Sequence, residues 1–368
     1  MRTGKWVGVV ALLVGAGVLQ SATPGIAGLL ASDIPAAILL MPKIVVKPAG
    51  SGRDTIIQIS NTSTDLTRLN CFYINANSHC SISQGICDPN AQQPCPNAAD
   101  LCLPGWVETD FQVILTANQP LAWLASEGLR NSDLPLDGVL RRGPSGQSNA
   151  GTRVPPVPEE PFIGELKCVV VDEQDRPVAR NVIKGEVTIV DDDVDLDVDK
   201  YNAIGIPAIE GDANGDNTLE LGGGSNEYEG CASVLIMDHF FDFAANPVSG
   251  EEVRSDLVLL PCNQDLLNQV PGGTTVQYLV FNEFEQRFST STPIQCFFER
   301  ALSNIDTRNS NRSIFSVFVA GTLTGQTRMR GVSSGLVGIV RERSGSRTAA
   351  FNLHLQGDRL QPDRITLP

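Results

Sequence analysis

Aspartate at every second position is the first chemistry this sequence offers. Asp193, Asp195, Asp197 and Asp199 alternate with Val194, Leu196 and Val198, so an extended backbone turns all four carboxylates to one face. Like charges this close repel and call for solvent or a cation between them. Further along, Asp212-Ala213-Asn214-Gly215-Asp216 again places side-chain oxygens at alternate positions, with the Thr218 carbonyl and the Glu220 carboxylate beyond them. Hard divalent cations take oxygen ligands, and calcium suits a flexible cage better than magnesium does. Asp212, Asn214, Asp216, Thr218 and Glu220 are therefore the candidate metal ligands, and calcium is the candidate cofactor.

The D-x-N-x-D spacing resembles the first half of an EF-hand or dockerin-type calcium loop. Two positions depart from that pattern. Asn217 stands where glycine is usual, and asparagine tolerates a positive φ. Gly223 stands where the closing acid belongs, so that carboxylate must come from Glu220 or from the Asp191–Asp199 run. Without an ion the same residues make a solvated acidic connector closed by an Asn-Gly turn.

A second cluster, Asp238-His239-Phe240-Phe241-Asp242, follows the apolar run Ser233–Met237. Histidine beside carboxylates suits acid–base work or metal binding, which would make a secreted polysaccharide hydrolase with its site near Asp238, His239 and Asp242. The competing reading is the end of a buried strand. Only His79, His239 and His354 are present, and no G-x-S-x-G nucleophile elbow occurs. Trp106 and Trp123 are the candidate binding residues, since two aromatic faces could carry a sugar in a carbohydrate-binding module; packing in a core is the commoner use of tryptophan. Arg328, Arg330, Arg341 and Arg343 could form a basic face complementary to the acidic segment, within one molecule or between two.

Charge separates the chain into three parts. Residues 191–252 hold one Lys against 16 acids, a net of −15 that equals the formal net charge of the whole chain. The flanks are close to neutral, at −3 for residues 1–190 and +3 for residues 253–368. Such a chain lacks the clustered basic surface that phosphate neutralisation needs, so nucleic acid is excluded as a partner. Arg2 and Lys5 precede an apolar run from Trp6 to Leu19, and Gly25-Ile26-Ala27 offers the small residues a signal peptidase reads. The expectation is export with cleavage after Ala27 and a secreted or periplasmic mature chain with no membrane insertion. Nine cysteines fit an oxidising compartment, and no closely spaced Cys pair suggests zinc. The odd count leaves one thiol over, for which Cys231, isolated in the acidic segment, is the candidate.

The elements that position these groups read as strands. Thr55–Ser60, Glu165–Val171 and Gly185–Val190 show apolar alternation or β-branched runs between turn residues, and no stretch keeps helical spacing for three turns. Residues 28–43 read as a connector, and 77–104, rich in Asn, Pro and Cys, as a long loop held by its own disulfides. The second half repeats the plan of the first weakly. Leu257–Pro261 echoes Ile44–Pro48, Thr275–Asn282 echoes Thr55–Asn61, Cys296-Phe297-Phe298 echoes Cys71-Phe72-Tyr73, and Phe315–Val319 echoes Phe111–Leu115. The expected architecture is all-β: two antiparallel, broadly Ig-like β-sandwich domains at 44–190 and 253–368, related by tandem duplication and joined by the acidic segment 191–252. The expected role is structural or adhesive, with a protein or polysaccharide partner at a cell surface or matrix.

Overall fold

In the computed structural model, residues 32–47, 52–89, 91–129, 153–191 and 197–368 are described. The expected signal peptide, and Asp193 and Asp195 of the acidic run, lie outside them. The described residues are almost all β, in antiparallel sheets apart from one short parallel pair. The first half supplies β1 (Ile38–Val46), β2 (Arg53–Asn61), β3 (Thr67–Asn75), β4 (Ser78–Cys80), β5 (Ile86–Cys87), β6 (Cys102–Leu103), β7 (Val107–Leu115), β8 (Pro120–Leu124), β9 (Phe162–Val171) and β10 (Ile183–Asp191). The acidic segment adds β11 (Asp197–Asn202), β12 (Ile204–Ile206), β13 (Thr218–Leu221) and β14 (Ala232–Phe240). The second half follows with β15 (Val253–Pro261), β16 (Gln264–Asp265), β17 (Gly273–Asn282), β18 (Arg287–Gln295), β19 (Phe298–Ala301), α1 (Val317–Ala320), β20 (Thr324–Gly331), β21 (Leu336–Ser344), β22 (Arg347–Asn352), β23 (His354–Asp358) and β24 (Asp363–Thr366).

Sheets ordered β12-β1-β9-β3-β7 and β11-β10-β2-β8 enclose one apolar core, which includes Met41, Ile57, Tyr73, Trp123, Leu166 and Val187. Sheets ordered β18-β17-β20-β14-β23 and β19-β15-β21-β22 enclose another, around Leu235, Leu257, Tyr278, Phe315 and Met329. A third core lies between these bodies. There Ile38, Leu40, Phe72, Ile74 and Val169 of the first half meet Leu260, Val337 and Ile365 of the second. The small sheet β13-β24-β16 contributes to it through Leu219, Leu221 and Ile365.

This middle core overturns two expectations. Residues 28–43 are not a connector to their end, because β1 begins at Ile38 and all nine of its residues are buried. Its run Ile-Leu-Leu-Met-Pro-Lys-Ile-Val-Val does not alternate because both faces of the strand are covered. Pro42, read as a boundary, falls in a register shift between Met41 and Ile44, where a missing N–H does not break the ladder. The Tyr201 hydroxyl holds that kink by accepting from the Lys43 N–H at 2.9 Å and donating to its carbonyl. Nor is 191–252 a tether. β11 and β12 complete the first-half sheets against β10 and β1, while β14 lies between β20 and β23.

The two halves share the antiparallel pairs β1 with β9 and β15 with β21. The echo fails at Phe315–Val319. Ser316 caps the Phe318 N–H and Gly321, at φ 71°, ends a single helical turn, so this stretch is no strand. The unpaired thiol is Cys296, which is buried, whereas Cys231 is bonded to Cys262. Spacing alone could not show that the acidic segment and β15 meet in one core.

Candidate functional site

The acidic segment is where the halves lock. Asp197 and Asp199 lie two apart on β11 and share a face, as alternation requires, and that face meets β21 and β22. Arg341 pairs with Asp199, whose side chain is 1% exposed, and approaches Asp197 at 3.9 Å. Thr348 donates its N–H to Asp197 at 3.1 Å. One residue row further, Asn202 and Asn352 exchange hydrogen bonds, N–H to Oδ1 at 3.2 Å and Nδ2 to carbonyl at 2.8 Å. Lys43 pairs with Glu299 across the same junction. The expected complementarity of Arg341 with the acidic run is thus an internal contact. Asp191, at the other side of the run, accepts from Arg53 Nε at 2.7 Å.

The Asp212–Glu220 loop is folded onto itself. Asp212 accepts the N–H groups of Gly215 at 3.0 Å, Asp216 at 3.3 Å and Asn217 at 3.0 Å; Asn214 accepts from Asp216 and Asp216 from Thr218. Asn217 takes the positive φ, 59°, that its place in the motif calls for. Glu220 is turned away from the loop, held by Arg364 at 2.8 Å, because β13 pairs with β24. As a calcium cage the set fits only in part. Asp212, Asn214, Asp216 and the Thr218 carbonyl remain in one loop, but Glu220 is committed elsewhere. Sequence reasoning missed Glu227. It is buried, donates nothing, and accepts the Glu220 N–H at 2.8 Å. Burial raises its pKa, and Asp212, Glu220 and Asp216 raise it further. Among the described residues, the gathered ligand-type groups are Cys80-Cys87-Cys95 and Cys231-Cys262-Asp363, whose cysteines are all in disulfides and so offer no thiolate.

The Asp238–Asp242 cluster does not converge. Strand alternation turns Asp238 outward and His239 inward. The His239 ring lies edge-on to Phe241 and beside Phe315, with Nδ1 2.9 Å from the Phe240 carbonyl and Nε2 2.8 Å from the Thr327 hydroxyl. Burial lowers its pKa from 6.5 to about 4. A carbonyl on Nδ1 requires N–H there, so Nε2 accepts from Thr327 and the ring has no lone pair left for a substrate. Asp242, fully buried, accepts the N–H groups of Ser255 and Ser303, each at 2.9 Å. Both are structural. The strand end does border a cleft of about 560 Å³, lined by Asp238, Phe281, Glu283, Gln326, Glu342 and Phe351 among others. Asp238 accepts there from Gln326 at 3.0 Å, and burial raises the pKa of Glu342.

Neither tryptophan is an exposed platform. Trp123 is wholly buried in the first core and donates to the Tyr73 hydroxyl at 2.7 Å. Trp106 is half-buried and packs against the middle core. Core packing is the use this fold makes of them.

The disulfide-rich loop supplies a surface instead. Cys80–Cys95 and Cys87–Cys102 close it, with Cys71 bonded outside it to Cys168 on the neighbouring strand. Asp100 ties its turn, accepting from Ile82 N–H at 2.7 Å, Ser83 N–H at 2.9 Å and the Ser81 hydroxyl at 3.1 Å. Glu159 anchors the base, accepting from Asn75 and Asn77 at 2.6 Å and meeting His79 Nε2 at 3.0 Å. In the sheet β5-β4-β6, Ile86, His79 and Leu103 stand in register, and the sulfurs fill the interior. Ile86 is 44% exposed, Leu103 49% and Leu101 65%. No protein-family model and no curated protein matches this chain. Among the described residues no helix is long and apolar enough to cross a membrane.

Proposed function

We propose that the chain is an exported, non-enzymatic structural or adhesive protein that docks a protein partner through its disulfide-braced knob. In this reading the paired sheets are two broadly Ig-like sandwiches of duplicated origin, fused into a rigid support. The observation that carries it is the set of exposed aliphatic side chains Ile86, Leu101 and Leu103 around His79 on the knob. Two disulfides and the Asp100 and Glu159 anchors hold Ile86, Leu103 and Leu101 exposed on this loop. Exposed apolar side chains on a rigid base favour protein docking, and their aliphatic character favours protein over sugar. Four disulfides fit a secreted or periplasmic location. The test is saturation binding of the mature protein to the cell-surface fraction of its producing organism. The variant Ile86→Ser/Leu101→Ser/Leu103→Ser should lose binding at least tenfold, which is about 1.4 kcal/mol, with its melting point retained. Undiminished binding by this variant contradicts the proposal.

Calcium belongs to the same proposal as a stiffener of the corner between β13 and the middle core. Asp212, Asn214, Asp216 and the Thr218 carbonyl would hold it, and Glu227, crowded by like charges, supports a cation there. Calcium should raise the melting point of the wild type and not of Asp212→Ala/Asp216→Ala; an equal rise in both removes the site. A polysaccharide hydrolase would have to use the cleft carboxylates Asp238 and Glu342 in place of His239. Reducing-sugar release lost in Glu342→Gln would favour it over docking.

A further inference from the structure

Three buried polar groups in the middle core remain without a role in docking. Glu165 and Lys167 lie two apart on β9, so both project from the same face of the strand, towards the second half. Glu165 is 0% exposed, Lys167 2%, and Gln264 of β16 3%. Lys167 Nζ meets Glu165 Oε2 at 2.5 Å, and Gln264 Nε2 meets Glu165 Oε1 at 2.5 Å. One carboxylate therefore touches an amine from the first half and a carboxamide from the second. The Gln264 carbonyl oxygen is buried with no hydrogen-bond partner.

From this geometry we infer that Lys167 and Gln264 become joined by an intramolecular amide bond, with Glu165 carrying the proton. The Lys167 Nζ lone pair attacks Gln264 Cδ. Glu165, as the carboxylic acid, gives its proton to Nε2 and takes one from Nζ in return. The Cδ–Nε2 bond then breaks and ammonia leaves. One C–N bond replaces another, so the step needs no oxidant, reductant or water.

Several features favour it. Burial lowers the pKa of Lys167, and a neutral amine is the nucleophilic form. The two ends of a carboxamide are alike in shape. When Glu165 holds the proton, the Gln264 amide can turn its orphaned oxygen towards that O–H, which polarises the carbonyl for attack. Both reactants are held by neighbouring disulfides: Lys167 adjoins Cys168, and Gln264 is two residues from Cys262. Both also touch the same carboxylate, which keeps amine and carboxamide side by side. The product removes a buried amine–carboxyl contact, which stabilises a core poorly, and ammonia released to solvent is diluted and does not drive the reverse step. The Cys296 thiol lies in the field of the same Lys–Glu pair, but burial raises its pKa and keeps it protonated. Burial thus favours the amine over the thiol as nucleophile.

The bond would tie β9 to β16 independently of any partner or ion. Its test is the mass of the full exported protein after reduction and alkylation, followed by peptide mapping. The expected result is a chain lighter by one ammonia, with the Lys167 and Gln264 peptides joined, trypsin unable to cut at Lys167, and Cys296 alkylated. Glu165→Gln should restore the full mass. The wild-type map decides even if that variant misfolds. Separate, unmodified Lys167 and Gln264 peptides overturn the inference. So does loss of ammonia with the link at Cys296, a thioester that hydroxylamine cleaves, or loss of water with Lys167 joined to Glu165.

Discussion

His239 shows how one side chain is fitted to a core. Its ring is enclosed by Phe241 and Phe315 and satisfied by the Phe240 carbonyl and the Thr327 hydroxyl. Because burial lowers the folded pKa from 6.5 to about 4, the neutral ring contributes stability above pH 6.5 that is lost as pH falls towards 4. The loss for this one group is about 3 kcal/mol, and urea midpoints across that window should show a flatter acid limb in His239→Leu than in the wild type. An unchanged slope would mean the ring titrates normally. Trp123 makes the matching case for a neutral pair. Tyr73→Phe leaves its buried indole N–H without an acceptor, at a cost of about 1–3 kcal/mol, measurable as a lower urea midpoint at constant slope. At this scale the sequence shows which residue types are present but not their surroundings. Asp238, His239 and Asp242 look like one cluster in the chain and point three ways in the fold.

The element scale is where sequence and structure agree best. Thr55–Ser60, Glu165–Val171 and Gly185–Val190 all fall within strands because period-two alternation and β-branched runs mark them directly. β1 escaped because a strand buried on both faces has no alternation to read. Glu165 and Lys167 escaped for the opposite reason: polar residues at alternate positions read as a solvent face, and only the second half covers them. Disulfide partners escaped because spacing carries no connectivity. The Arg341 contact was half legible, since opposite charges on two segments suggest attraction but not whether it is internal. That contact makes a prediction of its own. Arg341→Met leaves Asp199 buried without its cation, and breaking such a pair costs about 3–5 kcal/mol. Chemical denaturation should show it, while Arg343→Met, which alters an exposed side chain, should change stability far less. Equal effects would contradict the assignment of Arg341 as the junction cation.

At the scale of the whole molecule, the acidic segment is the seam of a single body. It places strands in both halves, and the middle core joins β1 and β9 to β15, β21 and β24. A partner docked on the knob, as proposed, would load this seam, and the amide inferred between Lys167 and Gln264 would cross it covalently. The most direct measurement is calorimetric unfolding of the oxidised protein. The account predicts one transition, with calorimetric and van't Hoff enthalpies that agree, and coincident loss of tryptophan fluorescence and far-ultraviolet circular dichroism. Two separable transitions, one per half, would contradict it and return residues 191–252 to the status of a tether.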